Sequence, residues 1–524
     1  MRLVSRPRFR PVFGSFLLAM LALPVYPADF HVTRADDPAP DGCQPGDCSL
    51  REAIAAAGAT PEADRIHLGS GLFHVTQGQI QVLGTVEISG VGSDQTRIVG
   101  ATSEPVLAMS ALTALTVRGM EIVNAGNWAV SANGSGAVEF EDVVVPDGSR
   151  NVSTSGAVGL SFDVVIRNSR FGIDDHVACR QASGKCHVYD SEISGGVATD
   201  GAEVSLKVVR SVIGPATGAT LNGIAAHGTA AIQVEDSIVR RALRPLYLLA
   251  DGPAVAPAAY VSRTRFLHNH GPLTGDRPGI VNLDEVEIFG HEAAPNQQLP
   301  AAMMIHEGPT WFLRRSLVHG NRGSGLEGGA ILVLAGGRLG IANSTFHDNG
   351  FQDSNGFGHT IAVYNAGSTP AILTILHSTF HRGPGLAANA AGSVLTVRGP
   401  AAQVVLGNNV LRGTCEFGGG ASITSAIGNV EAPGGSCVPD NGTNFHVGEV
   451  GLRMGSLADH GGFTHSFEPD PGSFLRDRAD PAICQLGGLD QRRYIRPGNG
   501  EPCDVGAIEA GAIPDLIFAD GVEG

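Results

Sequence analysis

The chain has 524 residues with 35 Lys+Arg against 51 Asp+Glu, a formal net charge of −16, and lysine only at Lys185 and Lys207. So acidic a surface argues against nucleic acid and anionic membranes as partners. With 72 Gly and 30 Pro, long helices are excluded as the main architecture, since both residues break a 3.6-residue repeat. At the N-terminus Arg2, Arg6, Arg8 and Arg10 precede an apolar run from about Val12 to Val25. That order reads as a secretory signal peptide over 1–28, processed after Ala28. No later stretch reaches the ~18 apolar residues of a membrane helix, so an exported chain without a transmembrane span is expected. Next, Ser49 and Glu52 form an S-x-x-E capping box, which predicts a short helix running to about Gly58. Such a helix, in a cap over 29–65, would plug the open apolar end of whatever coil follows.

From there one phrase returns at steps of roughly 20–34 residues, the period of a solenoid. Its anchors are Met120, Val143, Ser169, Ser191, Ser211, Ser237, Thr264, Val286, Ser316, Ser344, Ser378 and Asn409. The positions five before, three before and two after each anchor are apolar in every case, for example Leu339, Ile341 and Phe346 around Ser344. Their alternation has the period of two of a strand. Leucine-rich repeats are disfavoured by the missing leucine and asparagine pattern. The prediction is an all-β parallel β-helix over 66–435, with Ile193, Phe266 and Phe346 inward and Trp311 in the core. The residue before each anchor is often Asn or Asp (Asn168, Asp190, Asp236, Asn343, Asn408), as suits a bend with left-handed backbone.

The eight cysteines fall into neighbouring pairs, and in an exported chain nearest-neighbour bridges are the economical expectation: Cys43 with Cys48, Cys179 with Cys186, Cys415 with Cys437, Cys484 with Cys503. The first two would pin small surface loops, although Cys186 also occupies an inward column. A redox or zinc role lacks its spacing.

The segment Cys48-Ser49-Leu50-Arg51-Glu52-Ala53-Ile54 resembles the CSLREA motif that opens many exported bacterial β-helix proteins. Toward the other end, Leu457-Ala458-Asp459-His460-Gly461-Gly462-Phe463-Thr464 is similar to the opening of the choice-of-anchor Q domain. Pro471-Gly472-Ser473, Asp490-Gln491-Arg492, Arg496-Pro497 and Cys503-Asp504-Val505-Gly506-Ala507-Ile508-Glu509 resemble its later pattern, while Phe474-Leu475-Arg476-Asp477 departs from it. These resemblances imply a right-handed coil of the pectate-lyase-like superfamily and a mostly irregular C-terminal region over 436–511. They also imply an acidic tail over 512–524 and a place outside the cell or on its surface. They imply no particular chemistry, because function belongs to sites grafted on folds.

Two groups are candidate sites. His319, His347 and His381 follow three consecutive anchors by three residues, where the steps lengthen and loops should project. Stacked imidazoles can bind a metal or move protons, or can be turn residues packing ring on ring. Asn269, Asn321 and Asn349 form a related column, and His306, Glu307, Asp348, Asp353 and His359 lie in the adjoining loops. The second group is Asp174-Asp175-His176, a carboxylate pair of the type used in glycoside hydrolysis. Arg314 and Arg315 have no carboxylate trio beside them in sequence. No metal site or cofactor is evident, calcium being the one ion left open. The expected protein is a monomeric surface binder of polysaccharide or of a cell-surface protein, the alternative being a polysaccharide lyase or glycoside hydrolase. Aromatic residues are only 6% of the chain, which disfavours a sugar-stacking platform.

Overall fold

The computed structural model describes residues 26–515 except 111, 125–127, 156–160, 174–175, 202, 229–230, 250–257, 276–278, 295–298, 308, 325–328, 352–359, 366, 383–392 and 498–499. Most of the expected signal peptide over 1–28, most of the expected tail over 512–524, the Asp174–Asp175 pair, Asp353 and His359 therefore lie outside the described residues.

The chain winds as a parallel β-helix with three faces. In the turn around Ser344 the first face holds Arg338–Ala342, the second Thr345–His347 and the third Ile361–Tyr364. Each pairs in parallel with the following turn, Leu339 opposite Leu373, Phe346 opposite Phe380 and Ile361 opposite Leu395. The first two faces join into a 28-stranded sheet, and the third is a sheet of 14 strands. The period-two positions point to the axis as expected: Ile193 and Phe266 are 0% exposed, Phe346 1% and Trp311 0%. Burying one such side chain is worth about 1.5–3 kcal/mol, and the gain recurs in every turn. Like residues stack along the axis, with the Phe346 and Phe380 rings 4.5 Å apart.

Every residue before an anchor is left-handed, from Gly119 (φ 61°) through Asp190 (φ 50°) to Asn408 (φ 54°). The Asn and Asp positions were legible as bends, but Arg210, Arg263, Glu285, Arg315 and His377 adopt the same backbone. For an ordinary side chain this conformation costs about 1–2 kcal/mol, so something must hold it. The anchors do. The N–H of Val143 donates to Ser169 Oγ (3.1 Å), Ser169 to Ser191 (3.1 Å), Ser191 to Ser211 (3.2 Å) and Ser211 to Ser237 (3.2 Å). The ladder resumes through Ser316, Ser344 and Ser378, then passes to the side-chain oxygens of Asn409, Asn429 and Asn444. From Val143 to Ser211, and again from Val286 to Asn429, each anchor amide thus finds its acceptor in the next turn.

The helix Leu50–Ala57 has the full capping box: Ser49 N–H donates to Glu52 Oε2 at 2.7 Å, and Ser49 Oγ accepts the Glu52 N–H. Its face of Leu50, Ala53, Ile54 and Ala57 is buried in the main core, over the first strands.

All four disulfides join nearest neighbours. One expectation is corrected. Cys179 and Cys186 are both 0% exposed, so their bridge crosses the interior from the third face to the first and pins no surface loop. The inward period prevailed over the short separation. Structural disulfides belong to oxidising compartments, which places the folded chain outside a reducing cytoplasm. Among the described residues no helix is long and apolar enough to cross a membrane.

After the last strand at Phe445–His446 the chain is mostly irregular, with short helices Glu449–Leu452 and Pro481–Gly487. It folds back along the bend between the first and second faces. Arg493 grips Glu285 with two bonds of 2.7 and 2.9 Å. Arg496 Nε donates to Asn343 (3.1 Å), His377 Nε2 bonds Ile483 O (3.1 Å), and Asn408 Oδ1 accepts the Asp480 N–H (2.7 Å). Leu452, Leu475, Ala479 and Val505 form a small second core against Val410 and Val430.

Candidate functional site

The three histidines do occupy one column in consecutive turns, His319 opposite His347 and His347 opposite His381. Phe289 precedes them and Arg412 follows in the same column. The rings do not converge on a point. His319 stacks on Phe289 at 4.4 Å and bonds Glu287 Oε1 through Nε2 at 2.9 Å. Phe467 from the C-terminal region lies over His381 (4.4 Å) and edge-on to His347 (5.2 Å). Arg412 bonds His381 Nε2 and pairs with Glu449 at 2.7 Å. Burial, then the Arg412 charge, pushes His381 down to about 3, and burial lowers His347 as well. Both rings are neutral at neutral pH. A metal ion at His381 Nε2 would have to displace a guanidinium.

The asparagine column is a buried ladder. Asn269, Asn321 and Asn349 each donate to a backbone carbonyl of an earlier turn, Val239, Ile288 and Val318 respectively. Sequence reading missed that His291 fills the missing rung, five residues after Val286. Its N–H donates to Asn321 Oδ1 (3.0 Å), its Nδ1 bonds Ala301 O (3.1 Å) and its Nε2 accepts from Asn269 (2.8 Å). Burial pushes His291 down to about 4, keeping the ring neutral as this pattern requires.

Other candidates are tied up. Asp348 pairs with Arg322 at 2.9 Å. Arg314 lies over Phe312, and Arg315 bonds Asp284, whose carboxyl burial pushes above its ordinary range. Asp477, Asp504 and Glu509 form the one carboxylate group compact enough for a cation among the described residues. Two of its three carboxylates already accept hydrogen bonds. Glu509 Oε2 accepts from Arg496 (3.1 Å) and Asp504 N–H (2.9 Å), and Asp504 accepts from the Asp477 and Ala510 N–H groups. Arg496, 0% exposed in its side chain, supplies the positive charge a metal would bring.

The open cleft lies elsewhere, on the second face. Glu121, Val144, Arg170 and Glu192 stand in register on its outer side, walled by the turns of Pro146–Asp147 and Pro215–Thr217, around about 450 Å³. Glu121 is ion-paired with Arg97, Glu192 with Arg240 at 2.8 Å, and Asp147 Oδ1 accepts the Ile173 N–H at 2.9 Å. Arg170 is exposed and has no ion-pair partner among the described residues. Three strand steps separate Glu121 from Glu192, on the order of 14 Å at ~4.8 Å per step. Paired carboxylates in glycoside hydrolysis stand about 5–9.5 Å apart. In sequence these residues look like any solvated charges, and their place one residue after an anchor was the only available signal.

No protein-family model and no curated protein sequence matches this chain. Among solved structures it is similar to tailspike protein 3 of bacteriophage CBA120, with a TM-score of 0.39, 10% identity and coverage of 75% of this chain and 60% of that one. It is similar to the catalytic domain of a GH87 alpha-1,3-glucanase in complex with nigerose, with a TM-score of 0.28, 13% identity and coverage of 76% and 66%. A mannuronic acid specific polysaccharide family 6 lyase from human gut microbiota gives 0.27, 11%, 77% and 86%. This chain thus spans 60–66% of the length of the first two. The likeness is one of winding, and the chemistry rests on this chain's own residues.

Proposed function

We propose that the protein is an exported β-helix, displayed at the cell surface or secreted, that binds an extended polysaccharide along the open turns of its second face without turning it over. The observation that carries this reading is the cleft around Arg170. Its carboxylates are held in ion pairs or by backbone, and the two on strands are too far apart for paired acid–base work. The Arg170 guanidinium is available for hydroxyl or acidic groups of a sugar chain.

Export is supported by the leader-like N-terminus, by the resemblance of residues 48–54 to the CSLREA motif and by the disulfides. The choice-of-anchor Q-like residues supply the docking contacts of the C-terminal region, which supports a structural part for them. The division into cap 29–65, coil 66–435, C-terminal region 436–511 and tail 512–524 belongs to this proposal.

The test is a polysaccharide panel run by affinity electrophoresis on the mature protein, with parallel assays for unsaturated products and new reducing ends. Retardation by at least one polymer, lost in Arg170→Glu and accompanied by no product, is expected. Turnover of any polymer, abolished by His347→Ala or Asp175→Ala, would replace this reading with a lyase or hydrolase.

A further inference from the structure

A second concavity lies on the third face, away from both the histidine column and the Arg170 cleft. It encloses about 360 Å³ and is lined by Leu221, Leu243, Arg244, Tyr247, Thr274 and Met304 among others. That volume is in the range of small-ligand pockets. Strand register explains its shape. Thr220 and Asn222 pair with Ala242 and Arg244, which sets Leu221 beside Leu243. Tyr247, Thr274 and Met304 stand opposite one another in three consecutive turns. Gly271 keeps the wall thin, because a Cβ there would meet Leu243 O at 2.3 Å.

Three properties of the lining point to an occupant. Leu221 and Leu243 are 58% and 43% exposed, so the rim offers apolar surface to whatever enters. Arg244 lies over the Tyr247 ring with Cζ 4.7 Å from its centroid, is exposed, and has no ion-pair partner among the described residues. By contrast Arg97, Arg167, Arg210, Arg240, Arg263 and Arg265 on the same rod are all paired with carboxylates. A guanidinium held by an aromatic face is a pre-oriented fork for a carboxylate. Finally Thr274, only 7% exposed, has a buried Oγ1 with no hydrogen-bond partner. Such a hydroxyl is destabilising when left unmet, and a ligand oxygen would remove that cost.

The geometry points to a binding site for a small amphiphilic hydroxy acid. Its apolar body rests on Leu221, Leu243 and Met304, its carboxylate pairs with Arg244, and its second oxygen meets the Thr274 hydroxyl. In a chain of net charge −16 a lone guanidinium does not attract anions at long range. Selectivity therefore comes from burying the apolar body and the head group together.

The probes are 3-hydroxydecanoate, decanoate and decyltrimethylammonium, titrated below their micellar concentrations into the full mature protein by calorimetry. 3-Hydroxydecanoate is expected to bind most tightly, decanoate about five- to ten-fold more weakly for want of one hydrogen bond, and the cation not at all. Arg244→Gln should weaken both acids at least ten-fold. Thr274→Val should bring 3-hydroxydecanoate down to the level of decanoate and leave decanoate unchanged, while raising the melting temperature of the unliganded protein. Equal binding of the cation, or acids indifferent to Arg244→Gln, would overturn the site. A lower melting temperature for Thr274→Val would overturn the contact to the second oxygen. Polysaccharide retardation through Arg170 is independent of both variants, so either proposal can fail without the other.

Discussion

The second face has two halves, and their outward residues differ in kind. One residue past the anchors, the open half carries Glu121, Arg170 and Glu192, with Arg97 in register beside Glu121 and half-buried Val144, Val212 and Ile238 between them. The half under the C-terminal region carries Leu317, Thr345, Thr379, Val410 and Val430, none more than 2% exposed. There Thr345 Oγ1 bonds Gln491 Oε1 at 2.6 Å, and Thr379 Oγ1 accepts the Ala507 N–H at 3.0 Å. The bend column divides the same way. In the open half its charges pair with each other, Asp190 with Arg210 and Asp236 with Arg263, each at 2.7 Å. In the covered half Glu285, Asn343, His377 and Asn408 reach instead to the returning chain. Outward chemistry on a solenoid thus records what lies on top of it.

The contrast can be broken most directly at Arg496, which is buried and donates to Asn343, Glu509 and the carbonyls of Asp504 and Gly506. Arg496→Met should cost about 3–5 kcal/mol, because it leaves the buried Glu509 carboxylate without its cation. The measurement is urea unfolding with limited proteolysis, which should find residues 447–515 cleaved early. Arg170→Met in the open half should change stability by less than about 0.5 kcal/mol in the same assay. Cys484→Ser with Cys503→Ser should cost about 2–4 kcal/mol, again confined to protease sensitivity of the C-terminal region. Ser344→Ala leaves the Ser316 N–H without its acceptor and should cost about 1–3 kcal/mol by urea unfolding.

The buried histidines give a pH signature. His377 is pushed down to about 3 and His291 to about 4, both chiefly by burial. Between these values and the ordinary 6.5 the unfolded chain binds more protons, so stability falls as pH drops through that window. Glu509, raised by burial to about 7, acts oppositely. Its contribution is present below its ordinary 4.5 and is lost as pH rises through about 7. His377→Gln should flatten the acid limb of a melting-temperature–pH curve by about one proton. The smallest effect is expected at Arg210→Gly, which relieves a left-handed side chain but loses the Asp190 pair. Those terms, about 1–2 and about 0.2–1 kcal/mol, nearly cancel in urea unfolding.

The inward columns were legible because burial enforces a period of two on every turn, whatever the loops do. The bends were legible only where Asn or Asp occupies them. At Arg210, Glu285 or His377 the left-handed backbone is imposed by the turns above and below, which leaves no local signal. The histidine column could be read as a column, but not its lid, since Phe467 comes from far along the chain. Arg244 and Thr274 fall in no motif, and their meaning arises only when three turns bring them side by side.

Where the serine and asparagine ladder runs, no turn is self-sufficient: each lends its amide to the one that follows. Length in such a molecule is modular. A duplicated turn with a serine at its anchor could be spliced between Ser169 and Ser237 and would inherit every contact it needs. The same splice between Glu285 and Asn408 would put the rod out of step with the strap beside it, whose grips are spaced for the present number of turns. The returning segment is a ruler, and it fixes the size of the half it lies on.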